Sequence, residues 1–73
     1  MKINTKVFQE ERRVSDDAKS ASTASLHGVN EWMAVRFHES KTYGIMTLAG
    51  AQSMPQGLRI IAAFRGGERV NVQ

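Results

Sequence analysis

The sequence predicts an α+β fold: a single small domain, residues 1–73, with one helix packed on an antiparallel sheet in the order β-α-β-β-β-β. Three observations carry that expectation. Two β-prone runs, 58–65 and 68–73, flank Gly66-Gly67, a pair able to take the positive φ angles of a two-residue hairpin turn. Ser15-Asp16-Asp17 and Gly28 stand where a helix start and stop belong. Residues 32–38 alternate in polarity, and a run rich in β-formers returns at 43–48 after Glu39-Ser40-Lys41-Thr42.

The first strand is expected at residues 2–8, where Ile3, Thr5 and Val7 share one side at period two. The rival reading has Thr5 opening a long helix through Glu10-Glu11-Arg12-Arg13. The helix proper is expected from Ser15 to His27. Serine can cap an open amide, the two aspartates suit the positive end of the dipole, and His27 suits the negative end. Gly28 then supplies a left-handed cap, with Val29 closing over it. The stripe Val14, Ala18, Ala21, Ser25, Val29 is narrow and made of small side chains, which lets the helix backbone come close to a sheet.

In the next segment, Met33, Val35 and Phe37 point one way and Trp32, Ala34, Arg36 and His38 the other. A helical alternative would use Asn30 as cap and pair Met33 with Phe37 at i+4. The β-branched and aromatic residues of the return run, Tyr43 to Leu48, favour the hairpin. Gly50 to Gly57 holds Pro55 and two glycines and reads as a loop. In the last hairpin Arg65 should face Glu68, Ala63 should face Val70 and Ile61 should face Val72. That register gives one apolar face and an ion pair at the turn. The expected core is Ile3, Val7, Val14, Ala21, Val29, Met33, Val35, Phe37, Ile45, Leu48, Ile61, Ala63, Val70 and Val72, with Met33, Met46 and Met54 filling gaps.

A domain of 73 residues buries only about 60% of the surface its unfolded chain exposes. Such a core rarely supplies more than roughly 3–5 kcal/mol. Cysteine is absent, so neither a disulfide nor a cysteine zinc site can help. Docking on a partner or self-association, a homodimer for instance, is the usual remedy. No apolar run approaches the ~18 residues that span a membrane, and the basic start has no apolar segment behind it. These features point to a cytoplasmic protein with no membrane partner.

The net charge is +3. Residues 1–31 carry five cations, Lys2, Lys6, Arg12, Arg13 and Lys19, against five acids, Glu10, Glu11, Asp16, Asp17 and Glu31, which cancel. Residues 32–73 carry Arg36, Lys41, Arg59, Arg65 and Arg69 against Glu39 and Glu68, which leaves the whole excess of +3 there, mostly as arginine. Arginine suits bidentate contact with phosphate or carboxylate.

Catalytic patterns are weak throughout. His27 and His38 lack a metal-ligand spacing. The serines and threonines fall in no nucleophile-elbow pattern. Glu10-Glu11 and Asp16-Asp17 are adjacent pairs that a helix turns apart. Gly57-Leu-Arg lacks the lysine and hydroxyl of a phosphate loop. No enzyme activity, cofactor or metal is expected.

One grouping stands out. With Trp32 to His38 as a strand, Trp32, Arg36 and His38 share its outward side. Arg59 falls on the side of Ile61 and Ala63, and Arg69 on the opposite one. The expected binding residues are Trp32, Arg36, Tyr43, Arg59, Arg65 and Arg69. Aromatic and guanidinium groups together suit a protein interface, and they also suit bases and phosphates. The expected function is therefore a non-enzymatic protein-interaction module, an inhibitor or adaptor acting on a larger partner, with direct nucleic-acid binding as the alternative. In size and element order, the chain resembles the small inhibitor and adaptor proteins of phages and mobile elements, anti-CRISPR proteins among them. The resemblance rests on no particular residues, and architecture alone says little about function.

Overall fold

The structure, a computed structural model, describes residues 5–54 and 56–71. Its elements are helix α1 (Thr5–Ala24), a single 3₁₀ turn (Leu26–Gly28), strands β1 (Glu31–Phe37) and β2 (Thr42–Thr47), short helix α2 (Leu48–Gln52), and strands β3 (Leu58–Arg65) and β4 (Glu68–Val70). The four strands form one antiparallel sheet in the order β2-β1-β3-β4. The α+β class is as expected. The element order differs, because the first described element is a helix and α2 stands between β2 and β3.

Residues 5–8, expected in a strand, are the first turn and more of α1, so the rival long helix is the one formed. Ile3 lies outside the described residues. The extension has a physical basis in a surface ladder: Arg13 donates to Glu10 at 2.9 Å, three residues back, and to Asp17 at 3.2 Å, four residues on. These spacings stack side chains on one helical face. Ser15-Asp16-Asp17 therefore lies inside the helix and does not begin it. At the other end α1 stops three residues earlier than expected. Ser25 and His27 take left-handed φ angles of 49° and 57° ahead of Gly28 at 77°.

The core has two layers, one on each face of the sheet. Beneath α1, Val14, Ala18 and Ala21 pack on Trp32, Ala34, Ala62 and Phe64, flanked by Val29, Tyr43, Ile45 and Ile61. The alanines on both partners allow the close approach that the small-residue stripe implied. On the opposite face Met33, Val35, Leu58, Ala63 and Ala51 of α2 form a second cluster, flanked by Phe37, Met46, Leu48 and Val70. The alternation along β1 is as expected, but both of its faces are covered. Val7, expected in the core, is 39% exposed, and Met54 is 42% exposed.

The β1–β2 hairpin closes through His38 to Lys41, with Lys41 left-handed at φ 58° and its amide donating to the Phe37 carbonyl. Part of the expected 50–57 loop is α2, which Thr47 caps by accepting from the Gly50 amide at 3.1 Å. The last hairpin has the expected register, Arg65 opposite Glu68 and Ala63 opposite Val70, across a two-glycine turn with φ angles of 57° and 89°. The Ile61–Val72 pair lies outside the described residues. The turn is pinned to α1: the Gly67 amide donates to the hydroxyl of fully buried Ser22 at 2.9 Å, and that hydroxyl donates to the Lys19 carbonyl at 2.8 Å.

Candidate functional site

The expected binding residues do not form one surface. Trp32 is only 7% exposed, lies under α1, and donates its indole N–H to the Val29 carbonyl at 2.7 Å. Its ring lies tilted at 46° to that of His27, with centroids 6.4 Å apart. It is a core residue. The outward side assigned to Trp32 is the side that α1 covers. His38 lies in the hairpin turn rather than on a strand.

The arginines of the second half are mostly engaged within the fold. Arg59 donates to Glu11 of α1 at 2.6 Å. Arg65 grips one oxygen of Glu31 through Nε at 2.9 Å and a terminal nitrogen at 2.6 Å. The expected partner at the turn was Glu68. Glu31 is the residue directly opposite Arg65 on β1, so Arg65 pairs inward across the sheet. Arg36 lies 5.7 Å from the centroid of the Tyr43 ring, directly opposite it on β2. That contact is a cation–π pair on the helix side of the sheet, where Tyr43 packs.

A register shift in the β1–β3 pairing changes the sidedness of the rest. Between Ala34 and Val35 of β1, strand β3 inserts one extra residue, Ile61. Ala63, opposite Met33, faces away from α1, whereas the insertion turns Arg59 and Ile61 to the α1 side. Arg69, opposite Phe64, is on the α1 side too. Arg59 and Arg69 were expected on opposite faces, and the bulge brings them to the same one.

That rearrangement builds a trough between α1 and the β3–β4 side of the sheet. Its lining includes Phe8, Arg12 and Ser15 from the helix and Ile61, Phe64 and Arg69 from the strands. Phe8 is 63% exposed, the most exposed large apolar residue among those described. Arg12 and Arg69 are exposed, and among the described residues neither guanidinium has a hydrogen bond or ion pair. Glu11 also lines the trough, but Arg59 already holds its carboxylate. The site therefore presents two free guanidiniums around an apolar floor with an aromatic ring at the rim. Reasoning from sequence found Arg69 and missed Phe8 and Arg12. A signal was present: on a long helix starting at Thr5, Phe8 and Arg12 lie one turn apart on one face.

A second hollow lies on the opposite side of the sheet, over Met33, Leu48, Ala63 and Val70. Its charged groups, Glu31 and Arg65, neutralise each other. Among the described residues no three histidine, aspartate or glutamate side chains cluster as a metal site, and no helix is long and apolar enough to cross a membrane. No protein-family model, curated protein or solved structure matches this chain.

Proposed function

We propose that this chain is a non-enzymatic interaction module that docks on an acidic, partly apolar surface of a larger protein, as inhibitors and adaptors do. The trough between α1 and β3–β4 is the contact. The observation that carries the proposal is Phe8, 63% exposed, in the same trough as two guanidiniums that the fold leaves unpaired. An exposed ring gains by filling a partner's pocket, and free arginines beside it select carboxylates. Docking would also add stability to a small core by mass action.

Nucleic acid is the second reading, favoured by the same ring and cations. The charge of the trough weighs against it. Two free guanidiniums displacing counterions from a single strand give a salt slope of only about −1.4, too shallow for strong phosphate binding. The test combines capture and salt. Retention of a partner from host extract should fall at least about tenfold in the Phe8→Ala variant, a loss of about 1.4 kcal/mol, with Trp32 emission showing an intact fold. Equal capture by the variant, or steeply salt-dependent binding to single-stranded oligonucleotides, would overturn the proposal.

A further inference from the structure

The residue inserted in β3 has a second consequence, at the other end of the sheet from the glycine turn. It sets Arg59 directly opposite Arg36 on β1, both on the α1 side. Had the register run on unbroken from Ala34 and Ala62, Arg36 would face Ile60 instead. Like charges directly opposed on neighbouring strands destabilise a sheet. Local conflicts of that kind concentrate at functional positions, and bulges are one way of re-aiming a side chain there. Neither guanidinium is saturated. Arg36 is half-buried and lies 5.7 Å from the centroid of the Tyr43 ring, so Tyr43, Arg36 and Arg59 make one row across three strands. Among the described residues the Arg36 guanidinium has no hydrogen bond or ion pair. Arg59 donates from one terminal nitrogen to Glu11 at 2.6 Å, while its Nε and other terminal nitrogen make no hydrogen bond among the described residues. Lys41 adds an exposed cation in the adjoining hairpin turn, and Glu39 of that turn forms no ion pair with any of the three among the described residues.

We infer that Arg36 and Arg59 form an oxyanion site that takes a phosphomonoester dianion. Facing residues on adjacent strands have Cβ atoms about 4.5–5.5 Å apart, so two guanidinium forks start from neighbouring points and can close on one group. A carboxylate carries one charge and two oxygens, a match for one fork. A phosphomonoester carries about −1.5 to −2 charges near neutral pH and three acceptor oxygens, which suits two forks. The Tyr43 ring beside Arg36 restrains that guanidinium before anything binds, which lowers the ordering cost of binding. Neither arginine lines the trough, so this site stands or falls independently of the docking role proposed above.

Inorganic phosphate is the probe, titrated into the nitrogen-15-labelled chain at about pH 7, with chloride holding the ionic strength constant. The Nε–H resonances of Arg36 and Arg59 should move together and saturate with a Kd of about 1–10 mM. O-phosphoserine should reproduce those shifts, and serine should give none. Arg36→Gln and Arg59→Gln should each weaken binding at least about tenfold, with Trp32 emission showing an intact fold. Phosphate should also raise the urea midpoint of the parent more than that of either variant. Site binding stabilises by mass action, whereas the general salting effect of phosphate acts on all three chains alike. No movement of either resonance up to about 100 mM phosphate overturns the inference. So does an Arg36→Gln chain that binds as tightly as the parent, or shifts confined to Arg12 and Arg69 of the trough.

Discussion

Gly67→Ala offers the sharpest test of how the last hairpin is held. The residue sits at φ 89°, and an alanine Cβ there would lie 2.5 Å from Thr23 Oγ1. The backbone conformation alone costs about 1–2 kcal/mol for an L-residue. Relieving the clash requires one of two losses. Thr23 can turn, breaking its 2.9 Å bond to the Lys19 carbonyl, or the turn can lift, stretching the Gly67 amide from Ser22. Either costs a further ~1 kcal/mol or more. The sum is about 2–4 kcal/mol, most of what a core of this size supplies. Gly66→Ala is the control. Its φ is 57° and nothing lies within 4 Å of the new Cβ, so only the left-handed term of about 1–2 kcal/mol applies.

Urea titration followed by Trp32 emission reads both variants. Trp32 is the chain's single tryptophan and is buried, so its emission reports loss of the α1–sheet core. Thr23→Ala removes Oγ1 and leaves the next contact, Cβ at 3.6 Å, an ordinary one. In the double variant Thr23→Ala/Gly67→Ala, about 1–2 kcal/mol of the loss should return relative to the sum of the single changes. Equal costs at Gly66 and Gly67, or additive behaviour in the double variant, would refute the close approach between helix and turn.

Three further outcomes follow from the same contacts. Trp32→Ala should cost about 3–5 kcal/mol and leave the chain unfolded or nearly so by circular dichroism, because the indole fills the space under α1 and its N–H is bonded inside. Arg12→Ala and Arg69→Ala should each weaken partner binding by roughly 1–2 kcal/mol in calorimetry, whereas Arg59→Ala and Arg65→Ala should change it by less than about 0.5 kcal/mol, since their charge is already spent on Glu11 and Glu31. The hydrogen bond from Arg13 holds the Glu10 carboxyl below its ordinary 4.5. Its contribution to α1 is thus full above that value and lost as pH falls through the lowered one. Far-UV circular dichroism should show a small acid loss of helix that Glu10→Gln no longer shows in that range.

The parts of this fold legible in the sequence are those set by local chemistry. Gly66-Gly67 specified its turn because few pairs can hold two positive φ angles, and the β4 register followed from it. Alternation in 32–38 placed Trp32 and Met33 on opposite sides, as they are. The failures arise where distant contacts decide. Ile3, Thr5 and Val7 alternate like a strand, yet the segment from Thr5 joins α1, whose Glu10, Arg13 and Asp17 form an ion ladder. Five residues of α2 depend on one threonine cap and on packing Ala51 under the sheet, too little to outweigh two glycines in a propensity reading. The extra residue at Ile61 leaves no local mark, because a bulge is defined by the strand opposite.

The candidate site shows why charge counted along a sequence misleads about function. The tally placed all of the surplus in residues 32–73 and cancelled the first 31 against themselves. Folding pairs charges differently. Glu11 and Glu31, counted as neutralising first-half lysines and arginines, bind Arg59 and Arg65 of the second half. Arg12, counted as cancelled, is thereby released. Arg69, opposite Phe64 in the last hairpin, stands on the α1 side of the sheet and lines the same trough as Arg12. In the trough, what remains for a partner after internal pairing is one guanidinium from each half of the chain, Arg12 and Arg69, lining the same hollow as Phe8 and the inserted Ile61.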